Sequence, residues 1–332
     1  MALWLLCVLT MVSQAERTKN FTSAQSLNNM TPRKAVVVGA TNGIGKACAH
    51  RLAGAGFNII AVGRDKPGRA EALISELNDK SPPNSSPSHE FRPCDAFSLG
   101  AVKECAEGIV KDHDSIDAVV MSQGMATIQS FTPTIDGNDE KMTLHYWSRM
   151  AFADLLLPSL RKSTMPGGSC VMSILSGGVH KPYKNYKTDP LLKKSYSVQN
   201  AADSAGYYND LFLDSIARRE GNQKIQFIHA APGVVNSNWG TELPWYMRFP
   251  VRCMQSIVAK DPAKCAEFMC DPIVKSASGT ITRESQEPGL FILNEDATEG
   301  TLTKGHTKEA METVWKFTTD ILGKVGIDIN KS

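Results

Sequence analysis

The sequence predicts an α/β fold built on one doubly wound parallel sheet, and three observations carry that prediction. Apolar runs such as Ala35-Val36-Val37-Val38 lack polar alternation, the pattern of strands buried on both faces. Helix-length stretches alternate with these runs, as parallel pairing through crossovers requires. Finally, Gly39-Ala40-Thr41-Asn42-Gly43-Ile44-Gly45 joins the first run to a helical stretch, giving strand, glycine turn, helix.

The elements follow in order. A helix is expected over Lys46 to Ala55, a second strand over Phe57 to Val62 and a helix near Arg69 to Leu77. Ser81 to His89 is a Pro/Ser/Asn loop. Glu90 to Cys94 reads as strand three, Leu99 to Lys111 as helix and Ile116 to Met121 as strand four. One long amphipathic helix is expected from Asp139 to Lys162, with Leu155-Leu156-Leu157 on its apolar side. Strand five covers Cys170 to Leu175, an irregular stretch runs from Gly177 to Lys194, and a helix spans Ser197 to Arg219. Strand six is Ile225 to Ala230, and Asp261-Pro262 supplies an N-cap and a first-turn proline for another helix. Leu290 to Leu293 reads as strand seven and Lys308 to Leu322 as the final helix.

The chain has 332 residues, enough for one large α/β domain, and no internal repeat. That single domain is expected over 34–325. A net charge of +2, without any long Lys/Arg block, gives no case for a nucleic-acid partner, and none is expected. Met1 to Val12 is apolar apart from Thr10, too short to span a bilayer comfortably. With small residues at Ser13 and Ala15, residues 1–15 resemble a signal segment, though a basic start is missing. The expected location is the secretory pathway, the endoplasmic reticulum or another organelle; if the segment is not functional, it is the cytoplasm. A membrane anchor is the alternative use of the same residues. Residues 16–33 read as a disordered leader. Sequons at Asn20, Asn29, Asn84 and Asn330 add little, because chance supplies roughly two. Seven cysteines follow residue 15, without the spacing of a disulfide framework or a zinc site. They read as small buried apolar residues, and no metal is expected.

The glycine turn presents backbone N–H groups and a positive helix end to an anion. Gly39 permits the tight turn, Gly43 the approach of a pyrophosphate, and Gly45 close helix–strand packing. Strand two ends Val62-Gly63-Arg64-Asp65. A carboxylate at the first position after that strand would accept the ribose 2′-hydroxyl of NAD; Gly63 and Arg64 favour a 2′-phosphate, hence NADPH over NADH. Asp65 caps the following segment or opposes that choice.

With these motifs in order, the chain resembles the short-chain dehydrogenase/reductase family from about Lys34 to the last helix. That resemblance implies a Rossmann-type fold and cofactor contacts from Gly39, Thr41, Asn42, Gly43, Ile44 and Gly45. Asp95 resembles the family aspartate that contacts adenine. Met121-Ser122-Gln123-Gly124 takes the place of the Asn-Asn-Ala-Gly motif, with only Gly124 matching, and implies roles for Ser122 and Gly124. Pro232-Gly233-Val234-Val235-Asn236-Ser237 resembles the Pro-Gly motif, in which Ser237 would hold the nicotinamide carboxamide.

The catalytic residues depart from the family pattern. Ser176 stands where the family serine polarises the substrate carbonyl, with Ser173 a weaker candidate. Counting back from Pro158 puts His145 in the place of the family asparagine, where it holds a relay water or is an ordinary helix residue. The Tyr-x-x-x-Lys pair works because an ammonium one turn away lowers the pKa of a phenol. Tyr183-Lys184-Asn185-Tyr186-Lys187 matches that pair by letter, but Pro182 and Pro190 oppose the helix it needs. Counting back from Ile216-Ala217 puts Ala202 and Gly206 in the tyrosine and lysine places. Leu144 to Met150, Ser173 to Gly178 and Ser195-Tyr196-Ser197 are similar to segments of divergent fungal-type members, which makes Tyr196 the candidate proton donor. Tyr207 and Tyr208 read as packing residues. Leu243-Pro244-Trp245-Tyr246-Met247-Arg248-Phe249 reads as an apolar lid, a core plug or a membrane-facing patch.

Two functions follow. One is an NADP(H)-dependent oxidoreductase passing hydride between nicotinamide and a carbonyl or alcohol of an apolar small molecule. The alternative is a catalytically impaired NAD(P)-binding protein that acts as a sensor or partner module. The family also forms dimers, so a homodimer is compatible with either, as is membrane association through the N-terminal segment.

Overall fold

The inner β-strands read as expected because their side chains are buried alternately against two different helix layers. A computed structural model describes residues 33–237, 245, 259–280 and 289–329. The signal-like segment, the leader up to residue 32, Cys253, Asn330 and the expected lid apart from Trp245 lie outside the described residues. The strands are β1 (Lys34–Val38), β2 (Asn58–Gly63), β3 (Glu90–Pro93), β4 (Ala118–Met121), β5 (Ser169–Ile174), β6 (Ile225–Ala230) and β7 (Leu290–Leu293). They form one sheet in the order β3-β2-β1-β4-β5-β6-β7, with every neighbouring pair parallel.

The helices are α1 (Gly43–Gly54), α2 (Arg69–Lys80), α3 (Leu99–Asp112), α4 (Glu140–Met142), α5 (Ser148–Leu155), α6 (Leu157–Leu160), α7 (Val198–Ala217), α8 (Pro262–Ser278) and α9 (Lys308–Gly323). Val36, Val38, Ile60 and Val62 face one core, shared with Leu99 and Val102 of α3, Met150 of α5, Leu211 of α7 and Val314 of α9. Ala35, Val37, Ile59 and Ala61 face a second core, shared with Leu52 of α1, Leu77 of α2 and Met269 of α8. Residues two apart on a strand therefore meet the same layer, and neither face can be polar. Cys48, Cys94, Cys265 and Cys270 are buried among these residues. Among the described residues, no helix is long and apolar enough to cross a membrane.

The long helix expected from Asp139 to Lys162 is interrupted twice. After α4, Thr143–Trp147 form a π-helical turn, in which Ser148 N–H donates to Thr143 O. Pro158, which has no N–H, ends α5 at Leu155, and α6 begins with that proline in its first turn. The π turn places an extra residue in the helix beside the ends of β4 and β5, where such turns frequently mark functional sites.

β1 and β4 are neighbours whose chain connections leave toward opposite faces. A doubly wound sheet opens its ligand crevice at this point, beyond the carboxyl ends of the strands. Val38 pairs with both Val62 and Met121, so β1, β2 and β4 end level with one another.

Candidate functional site

Three chain segments meet at the crevice. The first is the glycine turn. Gly39 has φ +85° and Gly43 φ +52°, conformations that suit glycine. A Cβ on Gly45 would collide with Ser122 Oγ and Gly39 O, so the helix start packs directly on the strand end. Asn42 caps α1, its side chain accepting from Gly43 N at 2.8 Å. The N–H groups of Ile44 and Gly45 begin the helix and have no acceptor within it. A Cβ on Gly43 would meet only Ser237 Cβ at 3.4 Å, so this side of the turn leaves room for a ligand. The same contact brings the Pro-Gly segment to the turn. A cleft of about 550 Å³ begins there at Gly43 and Ser237 and runs along α1 past His50 and Arg51 to Lys80 and to Glu267 of α8.

β2 delivers the second segment. A Cβ on Gly63 would lie 2.8 Å from Thr41 Cγ2, so glycine lets the end of β2 approach the turn. Arg64 follows, exposed, with its guanidinium 5.7 Å from the centre of the Phe97 ring. Asp95 is exposed and its carboxylate accepts from Phe97 N at 3.2 Å. Ser122 does not face the cleft with a spare hydroxyl: its Oγ donates to Val38 O at 3.0 Å and braces the turn from below. Pro232 and Gly233 follow β6, and Gly233 has φ +70° with the Glu295 side chain filling the space of a Cβ.

The third segment carries the candidate catalytic groups. His145 lies in the π turn and its Nε2 accepts from Met125 N at 3.1 Å. Gly124 is glycine because His145 Nε2 stands 2.9 Å from its Cβ position. Burial first, then Arg149 and Lys141, pull the His145 imidazole down to about 3. It is neutral at physiological pH and, by accepting the Met125 N–H, anchors the loop after β4.

Arg149 is the most connected residue beneath this loop and was not foreseen from the sequence. Its guanidinium donates to Gln123 O at 2.5 Å, Ile174 O at 2.8 Å, Ser173 Oγ at 2.8 Å and Leu144 O at 3.3 Å. It is 1% exposed and burial lowers its pKa to about 9, so it stays charged at neutral pH. Ser173 Oγ donates onward to Asn209 Oδ1 at 2.7 Å, and Asn209 Nδ2 donates to His145 O at 2.9 Å. Ser173 is thus committed to the core, which leaves Ser176 as the candidate serine.

Ser176 follows β5, and its Oγ is buried without a hydrogen-bond partner. A Cβ on Gly206 would lie 2.5 Å from Ser176 Oγ and 2.5 Å from His180 Cγ. The place of the family lysine is therefore filled by Ser176 and His180, and no side chain fits at position 206. Tyr183 is buried, its hydroxyl donating to Asp189 O at 3.1 Å, in a segment of turns, so the literal Tyr-x-x-x-Lys match forms no catalytic helix. Tyr196, one residue before the N-cap Ser197, accepts from Lys141 Nζ at 3.0 Å. Lys141 is 4% exposed, and its other partner is Gln129 O at 3.0 Å. Burial first, then Asp139 and Glu140, push the Tyr196 phenol well above its ordinary value. Tyr207 and Tyr208 are buried, donating to Gly305 O and Pro190 O.

The model of the short chain dehydrogenase family matches residues 33–183. By that match, the sheet order and the glycine turn together, this chain is similar to the short-chain dehydrogenase/reductase family. It is similar to an oxidoreductase of Emericella nidulans, 29% identical over 64% of this chain and 61% of that protein, so the chain spans only about three fifths of that relative's length. It is also similar to human polyprenol dehydrogenase, 23% identical over 90% of this chain and 87% of that protein. A solved Shigella flexneri short-chain dehydrogenase complexed with NADP shares the fold at TM-score 0.55 and 17% identity, covering 80% of this chain and 98% of the other. Two solved structures that share this fold are complexes with NAD and with NADP. This chain departs from the family pattern at the candidate catalytic positions: Ser176 and His180 fill the space beside Gly206, Lys141 meets Tyr196, and the helical tyrosine–lysine pair is absent.

Proposed function

We propose that this chain is an NADP(H)-dependent reductase that passes hydride between the nicotinamide and a carbonyl or alcohol group of an apolar small molecule. The observation that carries the reading is the buried, unpartnered Ser176 hydroxyl, a group that needs an oxygen to bind. It stands past the carboxyl end of β5, at the sheet edge where the glycine turn ends β1. The dinucleotide supplies the hydride when bound. Gly39 to Gly45 and Ser237 would hold it; the turn has a capped helix start and an open face beside Gly43. Arg64, beside the Gly63–Thr41 contact, supports the choice of the 2′-phosphate form.

Ser176 Oγ would bind the substrate oxygen. Tyr196, kept protonated, would deliver the proton to that oxygen, with Lys141 Nζ 3.0 Å away to stabilise the phenolate left behind. Unlike the helical pair of the family, this one leaves the phenol pKa raised by burial, Asp139 and Glu140, so Tyr196 would act from its protonated form.

The exposed apolar side chains support an apolar substrate. Among the described residues, the large ones are Ile128, Ile135, Val179, Val198, Val234, Trp245 and Leu302. All lie on connections that leave the carboxyl edge of β4 to β7, or at the start of α7 that returns from it. Single exposed apolar residues need no explanation, but their confinement to the edge that carries the site does. The polyprenol dehydrogenase relative is named for a long apolar alcohol, and a substrate of that class fits this edge.

The test is NADPH oxidation by the full chain across aliphatic, prenyl and aromatic aldehydes and ketones. Turnover that rises with apolar chain length is the expected result. NADPH binding without turnover of any carbonyl, unchanged in Ser176→Ala, would favour the sensor reading, to which Ala202 and Gly206 lend weight.

A further inference from the structure

Behind Ser176 lies a buried titratable group that the reductase reading leaves unused. Asp210 sits on α7 one turn beyond Gly206. Its Oδ1 is 2.6 Å from His229 Nδ1, and its Oδ2 is 2.9 Å from His180 Nε2. None of the three side chains is more than 1% exposed. The two imidazoles lie 5.9 Å apart, 22° from parallel. Thr303 Oγ1 closes the group at 3.2 Å from His180 Nε2 and 3.4 Å from Asp210 Oδ2. His229 Nε2 faces the backbone N–H of Ser176 at 3.2 Å.

That last contact sets the protonation of His229. An amide N–H can only donate, so Nε2 must accept, and the ring proton sits on Nδ1, donated to Asp210. The same contact excludes a cation. A metal on Nδ1 would leave the proton on Nε2, aimed at another donor. The 2.6 Å between Asp210 Oδ1 and His229 Nδ1 is also a hydrogen-bond length. Two ligands around a small divalent cation sit about 3.3 Å apart. The group shares protons.

We propose that Asp210 and His229 are positioning residues for Ser176, holding it by its backbone so that its hydroxyl faces the substrate oxygen; this rests on the reductase reading above. Asp210 fixes the tautomer of His229, and His229 fixes the amide of Ser176. A His229 protonated on Nε2 turns an acceptor into a second donor and releases the anchor. The groups facing His229 are Asp210, which favours its charged form, and His180 and Arg149, which oppose it. Burial is the largest influence and, with those two cations or potential cations, keeps His229 neutral below the ordinary histidine range. Burial works against the charge on Asp210, but His229 and His180 outweigh it and hold its carboxyl below the usual carboxylate range. The anchor therefore persists at neutral pH and is lost on the acid side.

Two measurements on the full chain test this. Nitrogen-15 spectra of labelled histidines should show His229 as the neutral Nδ1–H tautomer, and Asp210→Leu, which removes every acceptor, should abolish that state and speed hydrogen exchange at the Ser176 amide. An Nε2–H tautomer in the wild type would overturn the proposal. In the second measurement, Asp210→Leu should lower kcat roughly 10- to 100-fold, the scale of a small misplacement at a reacting group, with NADPH affinity within threefold, whereas Asp210→Asn, whose side-chain oxygen can still accept from His229 Nδ1, should lose less. His229→Leu should fall similarly to Asp210→Leu. His229→Gln, whose side-chain oxygen can accept the Ser176 N–H without titrating, should recover most of kcat and lose the acid limb of the pH profile. Unchanged kcat in Asp210→Leu, or an acid limb retained in His229→Gln, would also overturn it. If the wild type binds NADPH but turns over no carbonyl, the reductase reading fails, and the tautomer measurement alone decides whether the anchor exists.

Discussion

Arg149 offers the sharpest test of how this site is held together. Replacing it with methionine keeps most of the side-chain volume and removes every donor. Ser173 Oγ keeps its bond to Asn209, and Leu144 O was only weakly engaged at 3.3 Å. Gln123 O and Ile174 O lose short bonds of 2.5 and 2.8 Å from a cation. Leaving a buried acceptor unpaired costs about 1–3 kcal/mol each. Removing a buried charge returns part of that sum, so a net loss of about 3 kcal/mol is expected. At roughly 2–3 °C per kcal/mol for a chain of this size, Tm should fall by about 8 °C. Urea unfolding and thermal scans with and without NADPH measure this. Arg149→Lys, with three donors for four acceptors, should lose about half as much. A Tm within about 2 °C of wild type in Arg149→Met would refute the claim that this guanidinium braces the ends of β4 and β5.

The other predictions concern charge and protons. Arg64→Asp should weaken NADPH at least tenfold while NADH changes less than threefold, read by fluorescence titration; equal losses would contradict the 2′-phosphate assignment. His145 has its folded pKa lowered to about 3, so its neutral form stabilises the fold above about pH 6.5, the unfolded value. As pH falls from there toward 3, the unfolded chain binds a proton that the folded chain refuses, and up to about 4 kcal/mol is lost. The drop in urea midpoint between pH 7 and pH 4 should shrink in His145→Asn, and an unchanged drop would show that His145 is not the cause. Tyr196→Phe should reduce kcat by roughly 10²-fold or more with little change in NADPH affinity, and Lys141→Met should move kcat in the same direction; full activity in Tyr196→Phe would remove it as proton donor.

Much of the sheet was legible because both faces are covered. Apolar runs from Ala35 to Leu293 had to be buried strands, and the glycine turn fixed where the first crossover begins. The long helix from Asp139 was misread because its apolar face continues through the π turn and Pro158, and a local change of hydrogen-bond register leaves hardly any mark on side-chain periodicity. Gly206 was legible as a missing lysine but not as the space that Ser176 and His180 occupy. Lys141 escaped because it meets Tyr196 across 55 residues of sequence. Arg149, Asp210 and His229 did leave a signal. Each is a charged or titratable residue inside an otherwise apolar stretch, where burial demands a partner. What the sequence withholds is which partner, since that depends on how α5, α7, β5 and β6 meet.

The account rests most directly on a nicotinamide dinucleotide seated at the start of α1. Titration of the full chain with NADPH and NADH by calorimetry measures that seat. The account predicts saturable one-to-one binding with NADPH the tighter of the two, at a Kd in the micromolar range expected for such cofactors. No heat and no saturation with either dinucleotide up to millimolar concentration would contradict it.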